Sequence, residues 1–369
     1  MEVKEKKVEL IELFYDLIYV YAISRMTMLL EEPTDGVLSP QQFLRYLVVS
    51  LLVLQAWLYM TNYVNRYGSW TWYEYGLSCV NMMAAIYMAN TISTDWNNMS
   101  AAFNYSMLVM FLCVAVLYAI QTQEPEAGAA RNSLTILGIV CGIYALSCVF
   151  HTLRWNDWVI RMNIAAVLTG AFLPFLLRGN FESGVISFPH LAERFELLTI
   201  ITFGESVVGM TGYFNVYHFD FQAPLAFFVI LTLFGSYVAQ IHYLMERRRV
   251  ARSLRLMFSH YGVVISINLV TVTLKLLERD ETNRLFAAAL MFLALILFYA
   301  SILWNSAYYR KAYRLEMRDV IQVAGGLAAG AVVTAVLRET ASGFLLGAAI
   351  STGWGFLLLL RKYRGKASV

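Results

Sequence analysis

Three acidic side chains near the start of the chain stand where one face of a helix is predicted. Glu9, Glu12 and Asp16 occupy positions i, i+3 and i+7 of an otherwise apolar segment, a spacing that places them on the same side of an α-helix. Carboxyl groups inside an apolar helix bind protons or cations, or pair with an arginine and serve only the fold. Both interpretations stay open, and the three residues are candidate proton- or cation-binding groups.

A second set of ionisable residues opens a later apolar segment. His190, Glu193 and Glu196 fall at i, i+3 and i+6, which predicts that they lie on one side of the entry to a helix. These side chains can act as acids, bases or metal ligands, but the spacing alone does not specify a metal site. We therefore predict neither a metal nor another cofactor.

Glu205 lies deeper in that later segment, directly after Gly204. Because glycine has no side chain, we expect a neighbouring helix or a ligand to approach Glu205 closely at this point. Asp16 and Glu205 are the strongest single candidates for loading a proton or cation. The alternative is that each carboxyl group only holds neighbouring helices together by hydrogen bonds.

The composition indicates that the bilayer is the solvent of these segments. Of the 369 residues 59% are hydrophobic and 14% are charged, and the mean hydropathy is +0.58, whereas a typical soluble protein has roughly 25% charged residues. Apolar windows long enough to span a bilayer recur with short connections. They lie near residues 8–30, 42–64, 72–94, 101–121, 132–153, 158–178, 190–212, 222–245, 254–277, 284–306, 318–337 and 341–360.

The distribution of lysine and arginine indicates the orientation of these segments. With about twelve spans, most of the 28 Lys and Arg residues fall on the side that holds both termini, which predicts cytoplasmic termini in the cell (plasma) membrane. The run Arg247-Arg248-Arg249 then belongs to an inner loop that contacts anionic membrane lipid, not nucleic acid. At the outer entry to the sixth span, Arg154 and Arg161 are accompanied by tryptophans typical of the membrane interface.

The two halves of the chain open with a related pattern. Residues 9–13 and residues 193–197 both read E-x-x-E-L, and an interval of six spans gives the two helices the same direction. This pattern favours a parallel internal repeat. We predict an all-α membrane protein of about twelve transmembrane helices in two related six-helix halves, residues 1–185 and residues 186–369.

The chain resembles the bacterial low temperature requirement A family. Val8–Ser24 is similar to the family's opening E-L-F-x-D-L-x-F-V-x-A, and His190–Ser206 to its H-x-x-E-R-F-x-L-x-x-I-x-x-G-E-S signature. Glu196 departs from the pattern, because a glycine is common there. The resemblance covers essentially the whole chain and implies site roles for the residues on signature positions, which are Glu12, Asp16, His190, Glu193, Arg194, Gly204, Glu205 and Ser206.

The family name describes growth in the cold, so the function has to be argued from the residues. The chain has no glycine-rich phosphate loop, no H-E-x-x-H and no G-x-S-x-G motif, and we assign no catalytic residue. We favour a transporter or channel-like protein that moves a proton, cation or small solute. The alternatives are a membrane-embedded enzyme that acts on a lipid-like substrate and a sensor or structural protein. A homo-oligomer is compatible with all three.

Overall fold

The computed structural model describes residues 5–93, 96–123, 128–176, 186–249, 251 and 253–367. Within these residues it contains twelve α-helices and no β-strand, so the predicted all-α class is confirmed. The helices are α1 Leu10–Met28, α2 Pro40–Tyr67, α3 Trp72–Thr91, α4 Trp96–Gln121, α5 Gly128–Thr152, α6 Asn156–Leu176, α7 Phe188–Gly209, α8 Gln222–Val238, α9 Leu254–Leu277, α10 Arg284–Trp304, α11 Met317–Leu337 and α12 Ala341–Ala367. Each predicted apolar window overlaps one of them, although the window ends at residues 94 and 178 lie outside the described part.

Eight helical segments in the described part of the chain are long and apolar enough to cross a bilayer. They contain α2, α5, α8, α9, α10 and α11, and most of α4 and α12. These segments make the chain an integral membrane protein with several apolar helices. The other four helices are α1, α3, α6 and α7, and the first and last of these carry the candidate site residues. The count of twelve spans, the repeat, the division at residue 185 and the side of the termini stay predictions.

The described helices pack into two compact units. The first unit comprises Met1–Leu29, Pro40–Leu198 and Arg249–Arg252, and the second comprises Leu30–Ser39, Thr199–Arg248 and Ser253–Val369. Helix α7 contributes its first half to the first unit and its second half to the second unit.

In the first unit, α1 packs against α2 and α3, and α2 also packs against α4 and α6. The buried side of α1 includes Glu12, Tyr15, Asp16 and Tyr19, a spacing of three and four residues that defines one helical face. The opposite side exposes apolar residues such as Leu17, which is 58% exposed. An apolar exterior over a polar interior is the pattern expected of a helix that borders lipid.

In the second unit, α9 is the most enclosed of the candidate spans, with 83% of its apolar window buried. It packs against α10, while α11 and α12 form a hairpin whose second helix packs on α8. The hydroxyl groups of α9 hydrogen-bond to its own backbone or to other helices. Thr271 pairs in this way with Ser206 of α7, at 2.6 Å between the two hydroxyl oxygens.

Candidate functional site

Arg194 is the centre of a buried ionic cluster in the first unit. Its Nε donates to Asp16 Oδ2 at 2.9 Å and one terminal nitrogen, Nη2, donates to Asp16 Oδ1 at 2.6 Å. The other terminal nitrogen, Nη1, donates to Glu12 Oε2 at 2.5 Å. All three side chains are at most 1% exposed. The two-pronged contact with Asp16 is the strongest geometry available to an arginine and a carboxylate.

Helix α1 positions the two acids but not the third one predicted beside them. Glu12 and Asp16 are one turn apart and both face inward. Glu9 is the exposed residue that precedes the helix: its side chain accepts from the Glu12 backbone N–H, and its own backbone N–H donates to Glu12 Oε1 at 3.3 Å. This reciprocal capping satisfies two free N–H groups of the helix start. The predicted three-acid face is therefore corrected to Glu12 and Asp16, because the helix begins after Glu9.

Trp57 of α2 completes the surroundings of Asp16. Its indole Nε1 donates to Asp16 Oδ1 at 2.7 Å, and its ring lies 5.7 Å from the Arg194 guanidinium carbon. The Phe195 ring packs against the same tryptophan, with the centroids of the two rings 5.1 Å apart. Asp16 thus accepts three charge-assisted or indole hydrogen bonds. Nothing in the spacing of α2 distinguished Trp57 from a packing residue.

His190 joins the cluster through Asn65 and Glu12. The Asn65 side chain is oriented by Ser187, because the Ser187 backbone N–H donates to Asn65 Oδ1 at 3.3 Å and Asn65 Nδ2 donates to the Ser187 carbonyl at 2.7 Å. Asn65 Nδ2 also lies 3.0 Å from His190 Nδ1. The other ring nitrogen, Nε2, lies 3.0 Å from Glu12 Oε2.

The charges in this cluster do not balance when the imidazole is neutral. Glu12 and Asp16 supply two negative charges, Arg194 supplies one positive charge, and all three are buried. One added positive charge, from a proton or a cation, would make the cluster neutral. Since a net charge in a low-dielectric interior costs several kcal/mol, the arrangement is suited to binding one such charge.

The residues predicted beside His190 differ from it in burial. His190 is fully buried, but Glu193, three residues later on α7, is exposed. Glu196 is 9% exposed. In the part of the chain that the structure describes, no group of three His, Cys, Asp or Glu side chains is arranged to hold a metal ion. Glu193 therefore does not join His190 in the buried cluster.

Glu205 belongs to a different ionic cluster, in the second unit. Lys275 Nζ of α9 lies 3.3 Å from Glu205 Oε1 and 2.9 Å from Glu31 Oε1. The Glu205 side chain is 8% exposed, whereas Lys275 and Glu31 are 24% and 22% exposed. Ser206 bonds to Thr271 and joins α7 to α9 instead of contacting this cluster. Arg194 belongs to the first unit and Glu205 to the second, so each acidic cluster is described within its own unit.

The close approach expected at Gly204 is found at Gly209. A side-chain carbon added to Gly204 would meet no described atom within 4 Å, and the residue is exposed. A carbon added to Gly209 would lie 2.7 Å from Thr271 Cγ2 and 2.9 Å from Lys275 Cε. A glycine is thus favoured where Lys275 passes the end of α7, whereas no helix of the described part approaches Gly204 closely, and the approach of a ligand there stays a prediction.

This difference gives a matched pair of substitutions on one helix. Gly209→Ala is expected to destabilise the folded chain by about 1–3 kcal/mol, because the methyl group overpacks the contact with Thr271 and Lys275. Gly204→Ala is expected to be neutral or to stabilise by up to about 1 kcal/mol, because alanine favours the helix. Unfolding of the two purified variants in one detergent measures the difference. Equal stability of the two variants would contradict the packing at Gly209.

A known protein family matches the part of the chain that holds these residues. The family model described as "Bacterial low temperature requirement A protein (LtrA)" matches residues 7–353, which include α1, α7 and both acidic clusters. No curated protein matches the chain. Because the match spans nearly the whole sequence, the chain belongs to the bacterial low temperature requirement A family.

Proposed function

We propose that this membrane protein is a transporter or channel-like protein that moves a proton, or a cation or small solute coupled to a proton. The observation that carries the proposal is the unbalanced charge of the buried cluster of Glu12, Asp16, Arg194 and His190. A pair of one arginine and one carboxylate is neutral, whereas this cluster contains one extra carboxyl group beside an imidazole.

Within that cluster Glu12 is the carboxyl group that is held less firmly. Asp16 is held by the guanidinium through two hydrogen bonds and by the Trp57 indole through a third. Glu12 receives one hydrogen bond from Arg194 and also faces His190 Nε2 at 3.0 Å. Glu12 is therefore the carboxyl group that can exchange a partner without breaking the Arg194–Asp16 pair.

The cluster of Glu31, Glu205 and Lys275 is a second candidate binding group, within the second unit. It again contains two carboxylates and one cation, but it is partly exposed. A net negative, partly wet cluster raises the local concentration of protons and cations. The proposal includes the twelve spans, the two halves and the cytoplasmic termini predicted from the sequence.

A structural or sensory role is the second candidate, and the bonding of Asp16 favours it. A carboxylate with three hydrogen bonds is well placed to fix α1, α2 and α7 relative to one another. A membrane-embedded enzyme that uses His190, Glu193 and Glu205 together receives less support. His190 is buried, Glu193 is exposed, and Glu205 lies in the other cluster.

Flux through the wild-type protein tests the proposal directly. Full-length protein is reconstituted in liposomes that enclose a pH-sensitive dye, and a pH gradient is imposed with the membrane potential clamped by potassium and valinomycin. We measure the rate with sodium, with potassium and after addition of a small-solute mixture. In at least one of these conditions, we expect the pH gradient to dissipate faster than in protein-free liposomes. Rates equal to those of protein-free liposomes under all of these conditions would refute transport of protons and leave the structural role.

A further inference from the structure

Helix α5 ends in a turn that normally requires glycine, yet this chain has an arginine there. The Trp155 N–H donates to the Phe150 carbonyl and the Arg154 N–H donates to the His151 carbonyl, both at 2.9 Å. Arg154 has φ +59°, and the Phe150 and Trp155 rings stack with centroids 5.7 Å apart. These features define a Schellman motif, in which glycine is the usual left-handed residue. A left-handed conformation is sterically unfavourable for residues other than glycine, so the turn itself does not explain the arginine at position 154.

A second arginine faces the same hollow from the first turns of α6. The Arg161 guanidinium carbon lies 4.9 Å from the centroid of the Trp158 ring, a cation–π contact that holds the side chain beside the helix start. Trp158 in turn contacts Phe150 of the turn. The hollow has a volume of about 440 Å³ and is lined by Arg154, Trp155, Asn156, Asp157, Trp158 and Arg161.

The surroundings of the hollow place it at a bilayer surface. Helix α5 is one of the segments apolar enough to cross a membrane, and the hollow begins two residues after its last residue, Thr152. Trp155 and Trp158 are 52% and 46% exposed, and exposed indoles at the end of a membrane span lie at the level of the headgroups. Arg154 and Arg161, which line the same hollow as these tryptophans, are exposed as well.

We propose that this hollow binds the phosphodiester of a phospholipid headgroup. Guanidinium groups match phosphate oxygens in geometry and charge, and the indoles of Trp155 and Trp158 flank the glycerol and the first acyl carbons. Asp157 lowers the charge of the lining from two positive charges to one, which suits the single negative charge of a phosphodiester better than the higher charge of free phosphate. This inference is independent of the transport proposal.

Lipid retention by the full-length protein tests the site. The protein is exchanged into detergent with dioleoylphosphatidylglycerol as the probe, and bound lipid is counted by native mass spectrometry. The principal variant is Arg154→Gly with Arg161→Gln, because glycine is the preferred residue of the turn and the fold is expected to be at least as stable. We expect occupancy of the tightest-bound lipid to require at least about tenfold more probe, which corresponds to about 1.4 kcal/mol.

Two controls separate this site from general attraction to the membrane. Arg279→Gln removes an exposed arginine from the end of α9 and should leave retention unchanged. Excess inorganic phosphate should not displace the lipid. Unchanged retention in the Arg154→Gly, Arg161→Gln variant, an equal loss in Arg279→Gln, or displacement by inorganic phosphate would each overturn the proposal, the last one in favour of a soluble anion.

Discussion

Replacing Arg194 with glutamine is expected to destabilise the folded chain by about 3–5 kcal/mol, because removal of one partner leaves buried charges uncompensated. Glu12 and Asp16 would lose three hydrogen bonds from the guanidinium. With a neutral imidazole the cluster would carry two negative charges at positions that are at most 1% exposed. Both carboxyl groups would have to take up protons or reach water, and either change disrupts the packing of α1 on α2.

The size of this effect is measured by unfolding a set of variants in detergent, with tryptophan fluorescence as the signal. Glu193→Gln is the matched control, since Glu193 is the exposed neighbour of Arg194, and it should unfold like the wild type. The double variant Arg194→Gln, Asp16→Asn removes one charge of each sign and should recover part of the lost stability. An Arg194→Gln variant as stable as Glu193→Gln would show that the cluster does not support the fold.

The sequence predicted the helices because an apolar window of sufficient length has few alternatives to a helix in a membrane. It also predicted that Glu12 and Asp16 share a face, because a spacing of four residues fixes that geometry whatever the helix packs against. It failed at Glu9 because spacing does not show where a helix begins. At Glu193 spacing gave the position around the helix but not its burial, because an exposed strip of α7 runs between the buried His190 and Glu196.

The partners of these acids could not be predicted from spacing at all. Glu12 and Arg194 are 182 positions apart, and the choice of neighbouring helix depends on packing that no local pattern encodes. An arginine within an apolar segment was itself a signal, since such a residue needs an acidic partner. Trp57 and Asn65 gave no comparable signal, because both residue types are common in interhelical contacts.

Glu12→Gln is expected to abolish proton flux while the fold survives, which is the opposite outcome to that of Arg194→Gln. Glutamine preserves the shape of the side chain, and its carbonyl oxygen can still accept from Arg194 Nη1. The remaining charges of Arg194 and Asp16 balance each other, and their two-pronged contact is untouched. The neutral cluster then has no electrostatic reason to bind a further positive charge. We expect flux to fall at least about 100-fold, in the range seen when a positioned proton-transfer group is removed.

Glu9→Gln on the same helix is the control for this experiment, because it changes the same functional group where the side chain is exposed and only caps α1. It should conduct protons at the wild-type rate. If folded Glu12→Gln conducts like Glu9→Gln, the extra carboxyl group is not on the path. A loss of flux in Glu12→Gln with wild-type stability, set against the loss of stability in Arg194→Gln, would separate the two roles of the cluster. Arg194 would hold the helices together, and the excess charge on Glu12 would hold the proton.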